Sequence, residues 1–272
     1  MTKIIKKPRA QIVATIGPAT AKPETLRKAI EAGMNVARLN FSWGTHEEHA
    51  HRIASIRSIA EEFHTHIPII QDLSGPRVQE KVGHTFDVSA DEILTPKDLS
   101  DLDFGAAQNV EYIAMSFVGD AHDIKRLRQE MDTRGMTGKT RIIAKIERAK
   151  AVSNLDAIIA EADAIMVARG DLGNEIPLEA IPFVQLDIIK KAKKAGKPVI
   201  TATQMMLTMT TNSIPTRAEV SDVTYAIIEG SDAVMLSEES AQGAHPVEAI
   251  AMMERIIIEA EKHEFKPIVN NL

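Results

Sequence analysis

The sequence predicts a (β/α)8 barrel, the TIM-barrel class of α/β fold, and three observations lead to it. Short apolar runs rich in β-branched residues alternate with helical segments along the whole chain. Eight strand–helix units can be counted, the number that such a barrel needs in about 250 residues. No Gly-x-Gly-x-x-Gly follows the first predicted strand, so a doubly wound open sheet is the weaker alternative.

Each predicted strand is a short apolar run that stops at a turn sequence or a polar residue. The first run breaks at Gly17-Pro18 and the third at Ser74-Gly75-Pro76, because glycine and proline favour turns. The eight predicted strands cover residues 11–17, 35–41, 68–73, 112–117, 141–147, 164–171, 198–204 and 233–238. Unbroken apolar runs of this kind are typical of parallel strands that are buried on both faces.

The segments between the strands have helical spacing of their apolar residues and recognisable ends. Thr95 before Pro96 is a typical N-cap arrangement, and Gly196 with Pro198 ends the helix that precedes the seventh strand. The predicted helices cover residues 23–31, 47–64, 96–108, 120–134, 177–195, 216–229 and 246–262. Residues 77–95 are the least regular part, and the stretch Gly83-His84-Thr85-Phe86-Asp87 within them is interpreted as a surface loop rather than a short cover.

Composition limits the class of protein. The 272 residues are 44% hydrophobic and 26% charged, which is ordinary for a soluble globular domain. A net charge of −6 and 4% aromatic residues give no reason to expect a nucleic-acid partner. No apolar run approaches ~18 residues, so no membrane partner is expected. Without a secretory signal or any cysteine, a cytoplasmic location is expected, with no thiolate metal site.

Polar residues lie where the predicted strands end, and barrel enzymes carry their sites at that rim. In the fifth strand Lys145 and Glu147 are two residues apart, so both side chains lie on one face. A structural salt bridge is the alternative interpretation of this pair. Asp171 ends the sixth strand. Other strand ends add Arg38, Asn40, Ser42, Asp72, Ser116 and Thr203. A barrel packed only for stability does not need such a set at one rim, so the sequence predicts an active site there.

The residue types indicate the chemistry. Glu147 and Asp171 supply hard oxygen ligands for Mg²⁺ or Mn²⁺, and zinc is not expected because no histidine joins them. Arg38 offers a planar fork for a phosphate. Lys145 beside the metal is a point charge suited to a transferring phosphoryl group or an enolate oxygen. Metal, phosphate and carboxylate recognition together suggest a small phosphorylated acid or an enolate as the substrate.

Several motifs, taken in order, resemble those of pyruvate kinases. They are residues 14–19, 33–42, Lys145-Ile146-Glu147, 166–173, 202–205, 215–219 and Met235-Leu236-Ser237. The resemblance spans nearly the whole chain. It implies the catalytic barrel domain of that family and a metal-dependent kinase activity of glycolysis, in which a phosphoryl group passes from phosphoenolpyruvate to ADP and gives pyruvate and ATP.

The resemblance also implies roles for individual residues. Lys145 would stabilise the phosphoryl group and the enolate, Thr203 would lie by the methylene carbon that is protonated, and Arg38 would reach phosphate. Glu147 and Asp171 would bind the divalent metal. The substrate would contact Ala168, Gly170, Asp171, Thr203 and Ser116. The nucleotide would contact Thr15, Pro18, Arg38 and Asn40. A monovalent cation would be held by Asn40, Ser42 and Asp72.

The sequence departs from the family pattern mainly on the nucleotide side. Residues 77–96 stand in place of a lid domain and no C-terminal allosteric domain follows, so one barrel domain is expected over residues 1–272. Trp43 replaces the family's histidine, and Arg77-Val78-Gln79 replaces its Glu-Ile-Arg. Ser237-Glu238-Glu239-Ser240 replaces Ser-Gly-Glu-Thr. Because Arg77 is a fixed cation near the monovalent site, K⁺ is not expected to be required.

Three functions follow as hypotheses. The first is a minimal pyruvate kinase, which requires ADP. The second is nucleotide-independent enolate chemistry, such as metal-dependent oxaloacetate decarboxylation, to which the changes at Trp43 and Gln79 would cost nothing. The third is a non-catalytic binder of phosphoenolpyruvate or pyruvate, which is disfavoured because a binder needs no group such as Thr203 to protonate carbon. An apolar barrel face left uncovered by a missing domain would support a homo-oligomer.

Overall fold

The computed structural model describes residues 8–79, 84–87, 89–90 and 92–263. Within these residues the chain forms ten strands. They are β1 (Gln11–Thr15), β2 (Val36–Asn40), β3 (Ile69–Asp72), β4 (Arg77–Gln79), β5 (His84–Phe86), β6 (Tyr112–Met115), β7 (Arg141–Ile146), β8 (Ala164–Ala168), β9 (Val199–Ala202) and β10 (Ala233–Leu236).

Eight of the strands close into a parallel barrel. Their order around it is β1, β10, β9, β8, β7, β6, β3 and β2, and β1 completes the ring because it pairs in parallel with both β10 and β2. The remaining two, β4 and β5, form an antiparallel hairpin after β3. The predicted (β/α)8 fold is confirmed.

Helices surround the barrel and connect successive strands. They are α1 (Pro23–Glu31), α2 (His46–Glu62), α3 (Pro96–Gln108), α4 (Ala121–Thr133), α5 (Ala149–Ser153), α6 (Leu155–Glu161), α7 (Arg169–Glu175), α8 (Ile181–Lys194), α9 (Arg217–Glu229), α10 (Glu238–Ala241) and α11 (Pro246–Lys262). The predicted N-cap at Thr95 is confirmed, since its hydroxyl accepts a hydrogen bond from the Asp98 amide at 3.1 Å. None of the described helices is both long and apolar enough to span a bilayer.

Each predicted strand contains an observed one, but the sixth, predicted over residues 164–171, is too long. Its last residue is Ala168, and α7 begins immediately afterwards. β8 has no pairing partner on β9 beyond Ala168, because β9 ends at Ala202. There the backbone turns through positive φ angles at Thr203 (72°) and Gln204 (55°), which cannot continue a strand.

The segment after β3 is more regular than the sequence suggests. The interpretation of residues 84–86 as a surface loop is wrong, because they form β5 and pair with Arg77–Gln79. Gly83 lies outside the described residues. Alternation is weak in such a short polar strand, so the sequence pattern alone does not reveal it.

The strands' alternating faces place the site. One cluster of apolar side chains fills the barrel interior and includes Val36, Ile70 and Ile143, while a larger cluster lies between the barrel and the helices. Side chains two residues apart share a face, so Arg38 and Lys145 also point into the barrel, nearer the carboxyl ends of their strands. The interior is therefore apolar below and charged at the rim.

A buried histidine orders the loop between β2 and α2. The His49 ring is 1% exposed and stacks on Phe41 with 4.0 Å between centroids. Its Nε2 lies 2.9 Å from the Trp43 carbonyl oxygen. A carbonyl only accepts, so Nε2 is the atom that carries the proton in the neutral ring. Burial lowers the pKa of His49 to about 4.

We expect acid to destabilise the protein through His49. Between pH 6.5 and about 4 the unfolded chain binds a proton at this residue and the folded chain does not, so stability falls as the pH falls. Chemical denaturation at several pH values measures the slope. His49→Gln should make that slope shallower, whereas His51→Gln, exposed on the same helix, should leave it unchanged. Equal slopes in wild type and His49→Gln would contradict this account.

Candidate active site

A buried lysine lies at the centre of the barrel rim. Lys145 is 6% exposed, and its Nζ lies 3.0 Å from Asp72 Oδ1, 2.9 Å from Glu147 Oε1 and 2.7 Å from Ser116 Oγ. The Ser116 hydroxyl in turn donates to the Leu73 carbonyl oxygen at 2.7 Å. An ammonium has three donors, and here all three have acceptors. The predicted cluster of Lys145, Glu147, Asp72 and Ser116 is assembled from β3 and the ends of β6 and β7.

The charges of this cluster depend on one another. Burial alone would lower the pKa of Lys145, but the carboxylates of Asp72 and Glu147 outweigh burial, and the pKa is raised. Burial would likewise raise the pKa of Asp72, but Lys145 and Arg38 hold it below its usual value. Lys145 is therefore an ammonium, and Asp72 a carboxylate, over the whole neutral range.

Arg38 extends the cluster towards β1. Its Nε donates to Asp72 Oδ2 at 2.6 Å and its Nη1 donates to Thr15 Oγ1 at 2.9 Å. Thr15 Oγ1 donates to the Leu236 carbonyl oxygen at 2.8 Å, which ties the guanidinium to β10. Arg38 is 8% exposed, so its orientation is set by these partners and not by solvent.

Glu147 and Asp171 lie close enough to influence each other. Glu147 Oε2 accepts a hydrogen bond from the Phe117 amide at 2.7 Å. Burial raises the pKa of Glu147, and the Asp171 charge raises it further, against the opposing effect of Lys145. Two neighbouring carboxylates are the usual protein contribution to a Mg²⁺ site, where waters and substrate complete the shell. These two residues therefore fit a divalent ion, which would stabilise both negative charges.

Thr203 and Gly170 meet across the ends of β8 and β9. A Cβ atom on Gly170 would lie 2.8 Å from Thr203 Cγ2, so only glycine fits without moving the threonine. Thr203 is β-branched and has a φ of 72°, a strained conformation that surrounding contacts must hold. Ala168 is buried just before this turn. The structure thus brings together the predicted substrate-binding residues of the sixth and seventh strand ends.

Arg169 provides the contacts that hold Thr203 in its strained conformation. The sequence pattern did not indicate this role for Arg169. Its Nη2 donates to the Thr203 carbonyl oxygen at 2.8 Å, and its Nε donates to the Ala202 carbonyl oxygen at 3.2 Å. Nη1 and Nη2 also lie 2.6 and 2.7 Å from the two carboxylate oxygens of Asp222. The sequence feature that could have indicated Arg169 is its place between an apolar run and Gly170. Its partner Asp222, however, lies on α9, far along the chain.

Arg77 lies beside the carboxylates. Its Nε donates to the Ser74 carbonyl oxygen at 2.7 Å, and Nη2 donates to the same atom. Burial lowers the pKa of Arg77, while Glu147, Asp72 and Asp171 act to raise it. An arginine side chain stays protonated in proteins, so Arg77 places a fixed positive charge near the rim carboxylates.

The hairpin packs next to Glu147 through aromatic rings. The Phe86 ring on β5 lies 5.4 Å from the Phe117 ring, at 50°. The Arg148 guanidinium lies 3.7 Å above the centre of the Phe86 ring, and its Nη1 is 3.4 Å from the Phe117 carbonyl oxygen. Cation–π contacts of this kind stabilise by about 0.5–2 kcal/mol. The described part of the hairpin is thereby held against the segment that donates to Glu147.

Three of the residues predicted for the nucleotide and the monovalent cation, Pro18, Asn40 and Ser42, lie outside the hydrogen-bond network that joins Thr15, Arg38 and Asp72. Asn40 Oδ1 accepts from the Ser42 amide at 3.1 Å, and Ser42 Oγ is buried without a hydrogen-bond partner among the described residues. Pro18 is exposed in the turn after β1. Glu239 is buried and accepts from the amides of Met206 and Ser237, so its carboxylate has a structural role.

Comparison with known proteins agrees with this geometry. The family model described as "Pyruvate kinase, barrel domain" matches residues 7–92 and 82–250. A pyruvate kinase of Thermococcus litoralis is 36% identical over 94% of this chain and 70% of its own length. That of Agrobacterium vitis is 38% identical over 96% and 71%. That of Geobacillus stearothermophilus is 37% identical over 94% of this chain but 57% of its own length.

Both the matched residues and the observed fold correspond to the barrel domain, and the chain spans 57–71% of the length of these three relatives. The chain therefore belongs to the pyruvate kinase family.

Proposed function

We propose that the chain is a minimal cytoplasmic pyruvate kinase, which transfers the phosphoryl group of phosphoenolpyruvate to ADP with the help of Mg²⁺ or Mn²⁺. The observation that carries this proposal is the buried ammonium of Lys145, held among Asp72, Ser116 and Glu147 at the mouth of the barrel. The named relatives are pyruvate kinases, which supports the same reaction. In this proposal, the described hairpin stands at the place of the family's lid.

In the proposed reaction, the bond between phosphorus and the enol oxygen breaks, and a new bond forms to the terminal oxygen of ADP. The electron pair left on the enol oxygen gives an enolate, which becomes pyruvate when its methylene carbon takes a proton. Lys145 is placed to bind the negative oxygens on both sides of the transfer. A fixed charge in a buried site stabilises such charge more strongly than one in water.

The divalent ion would be held by Glu147 and Asp171, and it would neutralise charge on the phosphoryl and enolate oxygens. Asp72 keeps Lys145 charged and orients it, since it bonds both Lys145 and Arg38. Thr203 lies against Gly170, and its carbonyl oxygen accepts a hydrogen bond from Arg169. We assign Thr203 to the face of the enolate where carbon is protonated.

The first test is ³¹P NMR of the protein with phosphoenolpyruvate, ADP and Mg²⁺. We expect the γ-phosphate signal of ATP to grow as phosphoenolpyruvate falls. Lys145→Met should reduce this rate by at least about 10²-fold, because it removes a charge preorganised for the transition state, and Mn²⁺ binding should be largely kept. Lys190→Met, exposed on α8, is the control. Full activity of Lys145→Met would refute the mechanism, and turnover of oxaloacetate alone would favour the decarboxylase hypothesis.

Arg77 is proposed to take the place of K⁺. Its guanidinium is oriented by the hydrogen bond to the Ser74 carbonyl oxygen and interacts electrostatically with Asp72, Glu147 and Asp171. It therefore supplies the positive charge that a bound monovalent cation would supply.

We therefore expect equal activity in sodium and potassium buffers. Arg77→Glu should lower activity in sodium and make it recover in potassium, because a carboxylate would attract the missing cation. Arg141→Gln, exposed at the start of β7, should behave like wild type. A strong potassium requirement in the unaltered protein would show that Arg77 does not have this role.

The hairpin should limit the access of water to the phosphoryl group. We expect Phe86→Ala to increase the share of phosphoenolpyruvate that ends as inorganic phosphate rather than ATP, because it removes the ring between Arg148 and Phe117. The ratio of the two ³¹P signals measures this directly. Val78→Ala, whose side chain is exposed on β4, should not change the ratio. An unchanged ratio in Phe86→Ala would mean that the hairpin excludes no water.

A further inference from the structure

We propose that Phe86, on the β4–β5 hairpin, is a positioning residue for Glu147 and thereby sets the affinity of the rim for its divalent ion. This inference rests on the proposed function, in which Glu147 and Asp171 hold that ion. Phe86 acts through two residues. One is Phe117, whose amide donates to Glu147, and the other is Arg148, which follows Glu147 in the chain.

One face of the hairpin is turned towards Phe117. Arg77 and Phe86 stand directly opposite each other in the strand register, so their side chains lie on the same face. The Phe86 ring lies 5.4 Å from the Phe117 ring, and the Arg77 guanidinium carbon lies 5.4 Å from the centre of that ring. The next residue of β4, Val78, directs its side chain to the opposite face and is 48% exposed. Contact with Phe117 is thus a property of one face of the hairpin.

Phe117 needs such contacts because its backbone is strained. It has a φ of 57°, which is uncommon for a bulky residue, and its amide donates to Glu147 Oε2 at 2.7 Å. A Cβ atom on Gly75 would lie 2.9 Å from Phe117 Cδ2, so the backbone at Gly75 also packs against the ring. A strained conformation persists only where the surroundings hold it. Without the Phe86 ring, Phe117 is free to relax and turn its amide away from Glu147.

Arg148 supplies the second connection. Its guanidinium lies 3.7 Å from the centre of the Phe86 ring, and its Nη1 donates to the Phe117 carbonyl oxygen at 3.4 Å. Its Nε is buried and has no hydrogen-bond partner in the part of the chain that the structure describes. The face of the Phe86 ring therefore stabilises this cation where an acceptor is missing. Because Arg148 follows Glu147 directly, fixing its side chain also fixes the backbone that carries the carboxylate.

The orientation of Glu147 matters for the metal because its two oxygens have different partners. Oε1 lies 2.9 Å from Lys145 Nζ, whereas Oε2 accepts from the Phe117 amide. If that amide turns away, the carboxylate is free to rotate about its bond to Lys145, and its distance to Asp171 is no longer set. Loss of a residue that orients a metal ligand typically weakens metal affinity about 10- to 100-fold.

The test is the binding of Mn²⁺ alone, without substrate or nucleotide, followed by the electron paramagnetic resonance signal of free Mn²⁺. Phe86→Ala should weaken binding about tenfold, near the low end for residues that orient a metal ligand. Phe86→Tyr should restore most of the affinity, because tyrosine keeps the ring face. Val78→Ala is the matched control, since it shortens a side chain on the other face of the same hairpin, and it should bind Mn²⁺ as wild type does.

Kinetics provide a second measurement that a general loss of structure would not reproduce. The Mn²⁺ concentration for half-maximal consumption of phosphoenolpyruvate should rise in Phe86→Ala by the same factor as the dissociation constant. The rate at saturating Mn²⁺ should stay near that of wild type, because only the affinity for the ion is altered. A damaged barrel would lower the saturating rate as well.

The inference and the proposed function fail separately. Wild-type affinity for Mn²⁺ in Phe86→Ala overturns the inference while ATP formation leaves the function standing. An equal loss of affinity in Val78→Ala also overturns it, because the effect then belongs to the hairpin as a whole and not to the ring. If Phe86→Ala alone binds Mn²⁺ more weakly, but the unaltered protein forms no ATP, the inference stands and the proposed function falls.

Discussion

The bonds of Lys145 to Asp72 and Glu147 are the constraint on which the rest of the rim depends. A charge taken out of water costs several kcal/mol unless partners surround it, so this ammonium is tolerated only where three strand ends meet. Asp72, Ser116 and Glu147 come from separate units of the fold. Barrel closure therefore assembles the site, and the site in turn restricts how β3, β6 and β7 are aligned.

The barrel interior separates stability from chemistry. Apolar side chains such as Ile70 and Ile143 fill its lower part, and each stabilises by about 1.5–3 kcal/mol when fully buried. Two residues further along the same strands stand Asp72 and Lys145. Rim positions can thus carry buried charge because the layer beneath them supplies the stabilising contacts. Trp43 and Arg77 lie outside that apolar layer.

Much of the fold and of the central cluster could be predicted from the sequence, because strand periodicity is local. The two-residue spacing of Lys145 and Glu147 sufficed to place both on one face. Long-range contacts could not be predicted in the same way. Arg169 forms an ion pair with Asp222 on another helix. Glu147 accepts a hydrogen bond from the Phe117 amide, and a backbone donor of this kind has no residue-specific signature in the sequence. The end of β8 depends on the φ angles of Thr203 and Gln204, which are not those that these residue types usually adopt.

The pairing of β1 with β10 has a consequence for synthesis of the protein. The hydrogen bonds of Gln11 to Ala14 along that edge need residues 233–236, so the barrel stays an open sheet until those residues have been made. Contacts of such wide sequence separation form slowly and leave apolar strand edges exposed meanwhile. The nascent chain is thus at greatest risk of aggregation in the interval before β10 emerges, when the first strand has no partner on one side.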